Sequence, residues 1–458
     1  MSNKLMEKIE EKLMPIGAKM SEQRHLKAVR DGVMGTIPLT IIGGISLIIA
    51  FPPVDASKLK ATNIINKILL AWSNWADVNS AAILAPYNLT MAIMAIFVAM
   101  GVAYSLAKTY KMDALPSAVT AAVTFLLTAA QVETMVPLRS YGAEGALRMA
   151  KSVIPMDYLD SKGLFTAMLI GLLTVEISRF LINKDIYIKM PDGVPPAVIS
   201  SFASLVPMIV NVGIFYGVSL FVGGAFGMPL PEVIMTFMTP ALNVVDSVWI
   251  IMLLMLFAQL MWLIGIHGTI LIKSVVAPIT MTNVVANAAA KVAGETGPFI
   301  FTDPLWSFYI LIGGSGATLA LAFLLLRSKS AHLRAVGRVG ILPGLFNINE
   351  PIIFGTPMIL NPVMAIPFVF APVVNTFIAY QVTNMGLVGR AYLLPPWTSP
   401  SIIGAPLSTM DWRAAVLVIV LFVVDLAIYY PFFKTYEAQL IEAELQDETE
   451  VESDDKAV

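Results

Sequence analysis

The sequence predicts an all-α polytopic membrane protein with about ten transmembrane helices, re-entrant hairpins and amphipathic interfacial helices. Three observations carry that prediction. Of 458 residues, 57% are hydrophobic and 13% are charged, whereas a soluble domain has roughly 25% charged residues. Mean hydropathy is +0.78, and a single soluble core stops growing near about 250–300 residues. Apolar runs of spanning length also recur along the chain, with basic residues gathered on alternate connections.

Taken in order, residues 1–30 place Leu5, Ile9, Leu13 and Ile16 at helical spacing among charges. That pattern suits a helix lying on the cytoplasmic membrane surface. The stretch has no compact apolar run followed by a small-residue cleavage site, so it does not read as a signal peptide. Apolar runs follow at 32–51, 81–107, 113–131, 164–183, 197–227, 247–266, 304–326 and 413–433. Weaker runs at 268–290 and 366–388 are interrupted by Pro, Asn or Lys. Residues 59–75 and 231–245 suit surface helices on the outer face.

From a cytoplasmic N-terminus, the inside connections hold Lys108, Lys111, Arg179, Lys184, Lys189, Arg327, Lys329, Arg334 and Arg338, and the C-terminus also lies inside. This is the positive-inside pattern. It survives if both weak runs are re-entrant, and counting both as crossings gives about ten. The chain divides near 230, after a Pro-broken connection at 184–196. The acidic tail, 436–458, reads as disordered and solvated.

Composition excludes several functions. Net charge is −2 and there are no cysteines. A nucleic-acid footprint is not expected, and disulfides, thiolate metal sites and a catalytic thiol are ruled out in this polypeptide. No cofactor or metal-ligand cluster is called for.

Chemistry is expected in the irregular second half. Pro343, Pro351, Pro357, Pro362, Pro367 and Pro372 crowd one stretch, with Gly340, Gly344 and Gly355 among them. Interior prolines remove hydrogen bonds and clash one turn back, and bare backbone cannot face lipid. The segment should be a broken or re-entrant hairpin lining a cavity, with Asn347, Asn349 and Glu350 pointing into it. A carboxylate at membrane depth costs at least ~2.5–3.5 kcal/mol. Glu350 could cap a half-helix or pair with a lysine, but its neighbours are amides and prolines, which favours a functional role.

His267 stands between Gly265-Ile266 and Gly268 at the end of an apolar run. It is either a core histidine satisfied by a carbonyl, or a donor–acceptor of the kind a sugar hydroxyl needs. His25 and His332 sit among cytoplasmic charges and read as solvated. Trp262 and Trp397 could stack on a sugar ring or belong to an interfacial belt. Gly313-Gly314-Ser315-Gly316 resembles a phosphate loop but lacks its Lys-Ser/Thr, so close helix packing within 304–326 is the expectation. Glu176 should pair locally with Arg179, and Asp425 should bond another helix.

Gly265-Ile266-His267-Gly268, Gly313 to Thr318, Asn347-Ile348-Asn349-Glu350-Pro351 and Pro396-Trp397-Thr398, taken in this order, resemble one family. It is the membrane IIC component of the lactose/cellobiose/diacetylchitobiose branch of bacterial phosphoenolpyruvate-dependent sugar phosphotransferase systems. The resemblance runs from Pro38-Leu39-Thr40 to the last helix, with residues 52–80 and 132–163 matching less closely. It implies a homodimer in the bacterial inner membrane, with 31–230 as dimerisation scaffold and 231–435 as substrate-binding transport half. It implies Glu350 and His267 beside the sugar hydroxyl that takes phosphate, with Trp262, Asn347, Asn349 and Trp397 completing the pocket. The substrate would be a β-linked disaccharide, cellobiose first, then diacetylchitobiose or lactose. The chain would be the membrane subunit of a sugar phosphotransferase, and a separate phosphorylated IIB protein, with IIA and a phosphocarrier upstream, would donate through its cysteine. The rival is an ion-coupled secondary sugar transporter, with Glu350 binding a proton or cation.

Overall fold

The computed structural model describes residues 23–54, 56, 59–130, 133–135, 151–191, 193–356, 358 and 361–455. Most of the expected N-terminal surface helix therefore lies outside the described residues. Among the described residues, seven helices are long and apolar enough to span a membrane: Arg24–Ala50, Ala85–Thr109, Ser161–Asn183, Pro196–Phe226, Gly268–Val292, Val363–Asn384 and Arg413–Glu442. An eighth candidate is the pair Leu230–Val245 and Val248–Leu263, sharply bent at its break, and Ala114–Ala129 is a shorter apolar helix. The protein is thus a helical, multi-pass membrane protein. Its described β structure is one antiparallel ribbon pairing Glu133–Met135 with Lys151–Val153.

The chain forms two compact units. The first comprises Glu22–Leu47 and Asn79–Leu242. Its core is built on small residues, because in lipid close packing replaces hydrophobic drive between helices. Ala95, Ala99, Ala103 and Ala107 follow one another at helical spacing and are fully buried. Gly32 lies so near the neighbouring backbone that a Cβ there would sit 2.4 Å from the Val102 nitrogen. Glu176 pairs with Arg179 at 3.4 Å, as the spacing suggests. It also accepts from the Tyr110 hydroxyl at 2.5 Å and bonds His25 Nε2 at 2.9 Å. His25 is therefore paired rather than simply solvated. No local sequence pattern links residues 151 positions apart.

The second unit comprises Ile48–Val78 with everything from Asn243 onward. A linear division at 230 would leave Ile48–Val78 with the first half. The Lys291 ammonium, 5.5 Å from the centre of the Phe51 ring, attaches the segment to that unit, and Trp72 Nε1 closes the segment on itself by donating to the Ile49 carbonyl at 3.0 Å.

The strong and weak apolar runs exchange places in this unit. The run 304–326, expected to cross as one helix, is broken. A π-helix at Leu305–Ile310 gives way to a non-helical turn and then to Leu319–Leu325. Residues 304–318 are all buried, so their apolarity reflects a protein interior rather than lipid. Hydropathy cannot separate the two. The weaker runs are instead continuous helices, Gly268–Val292 and Pro362–Asn384. Their interrupting amides turn inward: Asn283 Nδ2 donates to the Phe301 carbonyl at 2.7 Å, and Asn287 Nδ2 to those of Phe299 and Ala391, each at 2.8 Å.

The last helix runs from Arg413 to Asp455 and so takes in most of the tail expected to be disordered. Two of its acids are used as caps. Glu437 accepts from the Ser328 hydroxyl and the Lys329 N–H, both at 2.7 Å. Glu444 accepts from the Ser330 hydroxyl at 2.5 Å and from the His332 N–H at 3.2 Å, at the start of the Ala331–Leu345 helix. His332 in turn bonds the Gly355 carbonyl at 3.0 Å.

The Ser330 hydroxyl holds the Glu444 carboxyl below the usual range, helped by the His332 and Ala331 N–H groups and the His332 charge. A depressed folded-state value means this contribution is complete above the unfolded value near 4.5 and is lost as pH falls through the lower folded one. Glu444→Gln should therefore flatten the acid limb of a thermal-stability profile while leaving the neutral range nearly unchanged. An unaltered acid limb would count against the cap.

Candidate functional site

Four breaks in helical structure, all in the second unit, converge on the residues singled out in the sequence. The first ends the Val248–Leu263 helix. Gly265 takes a φ of +79°, a conformation glycine adopts without a Cβ penalty, and the chain reverses into Gly268–Val292. His267 caps that helix, its Nδ1 accepting the Ile270 N–H at 3.3 Å. A neutral imidazole that accepts at Nδ1 carries its proton at Nε2. The ring thus offers an Nε2–H donor. A Cβ at Gly268 would lie 1.9 Å from the Ala258 carbonyl oxygen, so only glycine lets the two helices meet here.

Trp262 backs this histidine, with ring centroids 4.2 Å apart and planes tilted by 47°. The indole is only 5% exposed, and its Nε1 donates to Thr269 Oγ1 at 3.2 Å. It is therefore packed as a wall for His267 rather than presented as an open stacking face. Of these two tryptophans, Trp397, 53% exposed, is the one with a free surface.

The second break is the glycine turn. Gly313, Gly314, Gly316 and Ala317 all have positive φ, which no helix tolerates, so this motif is a backbone turn rather than a helix-packing stripe. It is nonetheless tightly packed: a Cβ at Gly314 would fall 2.5 Å from Asn349 Cγ, and one at Gly316 2.2 Å from the Phe368 ring. Thr269 Oγ1 and Ser315 Oγ lie 2.7 Å apart and hydrogen bond. The Tyr429 hydroxyl donates to the Gly316 carbonyl at 2.6 Å.

Asn347 forms the third break, at φ +62°, and is 9% exposed. Its Oδ1 accepts from the Gly313 N–H at 3.0 Å and the Ser401 hydroxyl at 3.2 Å. Its Nδ2 donates to the carbonyls of Trp397 at 2.8 Å and Ser399 at 3.1 Å. These last belong to the fourth break, the non-helical stretch before Ser401–Thr409. Asn349 Nδ2 donates to the Ser315 carbonyl at 2.6 Å and to Thr318 Oγ1 at 2.7 Å. Both donors of each amide are consumed inside the protein. In this structure the two asparagines build the site's backbone, and their N–H groups are not left for a ligand.

Glu350 opens the short helix Glu350–Gly355, with Pro351 in its first turn, where proline costs no hydrogen bond. Its side chain is exposed and makes no hydrogen bond or ion pair among the described residues. His267 lies within its Coulombic reach. A carboxylate acceptor and an Nε2–H donor together complement one hydroxyl group, which can donate to the first while accepting from the second.

One hydrogen-bonded chain thus ties four of the six expected residues together: Trp262 to Thr269, Ser315, Asn349 and, through the turn, Asn347 and Trp397. His267 joins it through its ring contact with Trp262, and Glu350 follows Asn349 in the chain. Thr269, Ser315, Thr318, Ser401 and Tyr429 are the participants the sequence did not single out. Ser315 and Thr318 lay within a recognised motif and Thr269 directly follows one, but Thr269 and Ser315 bond each other across 46 positions. Among the described residues no group of three or more His, Asp or Glu is placed to hold a metal ion.

Comparison with known proteins agrees with this architecture. Residues 30–372 match the family model of the phosphotransferase system EIIC component. A putative permease IIC component of Bacillus subtilis strain 168, YwbA, is 39% identical over 454 residues, covering 98% of each chain. The cellobiose-specific EIIC component of Geobacillus stearothermophilus is 36% identical over 449 residues, covering 96% of each. The crystal structure of ChbC, the IIC component of an N,N'-diacetylchitobiose-specific phosphotransferase system, superposes with a TM-score of 0.83 at 34% identity, covering 95% of this chain and 99% of that one. This chain belongs to the EIIC family of the phosphotransferase system.

Proposed function

We propose that the chain is the sugar permease of a phosphotransferase system, importing a β-linked disaccharide and presenting its 6-hydroxyl to a separate phosphorylated IIB protein. The observation that carries this reading is the unpaired Glu350 carboxylate whose charge acts on His267, the two held on breaks that hydrogen bonds over-determine. Relatives named for cellobiose, lichenan and oligo-β-mannosides favour a β-linked substrate, with cellobiose first and diacetylchitobiose or lactose next. Lactose-specific relatives of Lactococcus lactis and Staphylococcus aureus are named EIICB, and this chain covers 75% and 74% of them, which supports a IIB partner. The working unit would be a homodimer with both termini cytoplasmic.

In the transfer step the 6-hydroxyl oxygen attacks phosphorus, the oxygen–phosphorus bond forms, and the bond to the IIB cysteine sulfur breaks. The hydroxyl proton passes to Glu350 while His267 Nε2–H aligns the oxygen. Phosphoryl transfer depends mainly on such positioning and charge placement. Trp397 would offer the face on which the sugar stacks, and Trp262 would fix the imidazole.

Membrane vesicles with labelled cellobiose test the reading. Uptake should require phosphoenolpyruvate and the cytosolic partners, and the internal sugar should be phosphorylated. Accumulation of unmodified sugar on a proton gradient alone would establish the ion-coupled alternative instead. His267→Asn separates the two roles of that residue. Asparagine caps a helix well, so unfolding temperature should be kept. Loss of the Nε2–H donor should lower kcat by about 100-fold or more, by analogy with removing one charge-stabilising donor. An unchanged kcat would confine His267 to capping.

A further inference from the structure

Asp425 is fully buried in the apolar span Arg413–Glu442 and plays no part in the transfer step. Its Oδ2 accepts a hydrogen bond from Asn375 Nδ2 at 3.1 Å. Asn375, on the Pro362–Asn384 helix, is also fully buried and turns the same amide group toward the Ile310 carbonyl at 3.4 Å. Two oxygens are left over. Asp425 Oδ1 and Asn375 Oδ1 are both buried without a partner.

No cation faces this pair among the described residues. The Pro362–Asn384 helix brings Tyr380 as its titratable group, and the Leu305–Ile310 helix brings Tyr309. Leu319–Leu325 and Ser401–Thr409 bring none. On its own helix Asp425 has Tyr429 one turn on, and that hydroxyl is committed to the Gly316 carbonyl. An ionised carboxylate here would be buried, unpaired and short of donors, the circumstance in which such groups take up a proton.

We propose that Asp425 is a proton-binding site: in the folded protein its carboxylic acid and the Asn375 carboxamide close a two-bond ring, Asn375 Nδ2–H donating to Asp425 Oδ2 and Asp425 Oδ1–H donating to Asn375 Oδ1. A single proton then supplies both orphaned oxygens and removes the buried charge. Bridging water would fill the oxygens and leave the charge.

The ring also positions the site. Asn375 reaches Ile310, the residue that leads into the glycine turn, while Tyr429 on the Asp425 helix holds the far side of that turn. The same turn seats Asn347 and Asn349. The proton is structural on this account and is not exchanged during transport, so the proposal stands independently of which sugar is carried.

Infrared spectroscopy of the purified full chain, with its aspartates carbon-13 labelled, tests it. At neutral pH a protonated-carboxyl carbonyl stretch should be present, absent from Asp425→Asn and shifted in Asn375→Leu, which leaves the acid without its partner. Asp425→Asn should keep its unfolding temperature and sugar uptake within about twofold of the parent, because an amide–amide ring retains both bonds. It should also lose the fall in unfolding temperature that the parent shows when alkaline pH strips the proton. If Asp425→Asn does not fold, the labelled parent and Asn375→Leu still decide the matter through the band and its shift. Absence of the band from the parent at neutral pH would overturn the proposal. So would a sodium- or potassium-dependent rise in unfolding temperature that Asp425→Asn abolishes, since a metal cation would then occupy the two oxygens.

Discussion

Glu350→Gln is expected to abolish sugar phosphorylation while leaving sugar binding measurable. Glutamine keeps the length and one carbonyl acceptor of glutamate but cannot accept the hydroxyl proton as the oxygen–phosphorus bond forms. General-base contributions of this kind are about 10²–10⁴-fold, or roughly 3–5 kcal/mol of activation free energy. Glu350 is exposed and free of hydrogen bonds among the described residues, so the substitution strands no partner and the fold should be retained. Calorimetry with cellobiose would read binding, and a phosphorylation assay with saturating phosphorylated IIB would read turnover. Full turnover in the variant would remove Glu350 from the proposed role. Comparing several disaccharides in the same calorimeter would rank cellobiose against diacetylchitobiose and lactose.

Asn347→Ala should be the most damaging single change to the site's structure. It deletes four side-chain hydrogen bonds at once, leaving the Gly313 N–H and the Trp397 and Ser399 carbonyls without this partner. Each buried group so stranded costs about 1–3 kcal/mol, and alanine at φ +62° adds roughly 1–2 kcal/mol of left-handed strain. The sum exceeds about 3 kcal/mol, enough to lower the unfolding temperature visibly and to release Trp397 and the glycine turn from each other. Sugar binding should fall with it, although Asn347 need not touch the sugar. Asn347→Gly separates the two costs, because it relieves the backbone strain and restores none of the bonds. Parent-like stability in Asn347→Gly would show that the amide does not hold the site together.

The two variants mark the line between residues whose polar side chains the structure leaves open and those whose polar atoms it consumes. Glu350 and His267 were conspicuous as polar groups in apolar surroundings, where a bland explanation is expensive, and the structure leaves each with an open valence. Asn347, Asn349 and Trp262 were conspicuous for the same reason. Their polar atoms, however, are spent on Gly313, Ser315, Thr269 and neighbouring carbonyls. Nothing in a one-dimensional pattern says whether a buried amide faces a ligand or a loop. The glycine turn shows the same limit: its residues announced close approach, and only the signs of φ show that the approach is made by a turn rather than by a helix.

By itself the sequence determined the membrane class, the helical character, the irregularity of the second half and which polar residues stand in apolar surroundings. Those follow from composition, periodicity and the cost of polar groups in lipid, which are local properties of the chain. The tertiary structure decided which apolar runs are continuous helices, that 304–326 is folded inside the protein, that Ile48–Val78 joins the second unit, and that the acidic segment up to Asp455 continues a helix. It also decided which polar atoms remain unpaired. Each of these depends on partners distant in sequence, and hydropathy is the same whether an apolar side chain meets lipid or another helix.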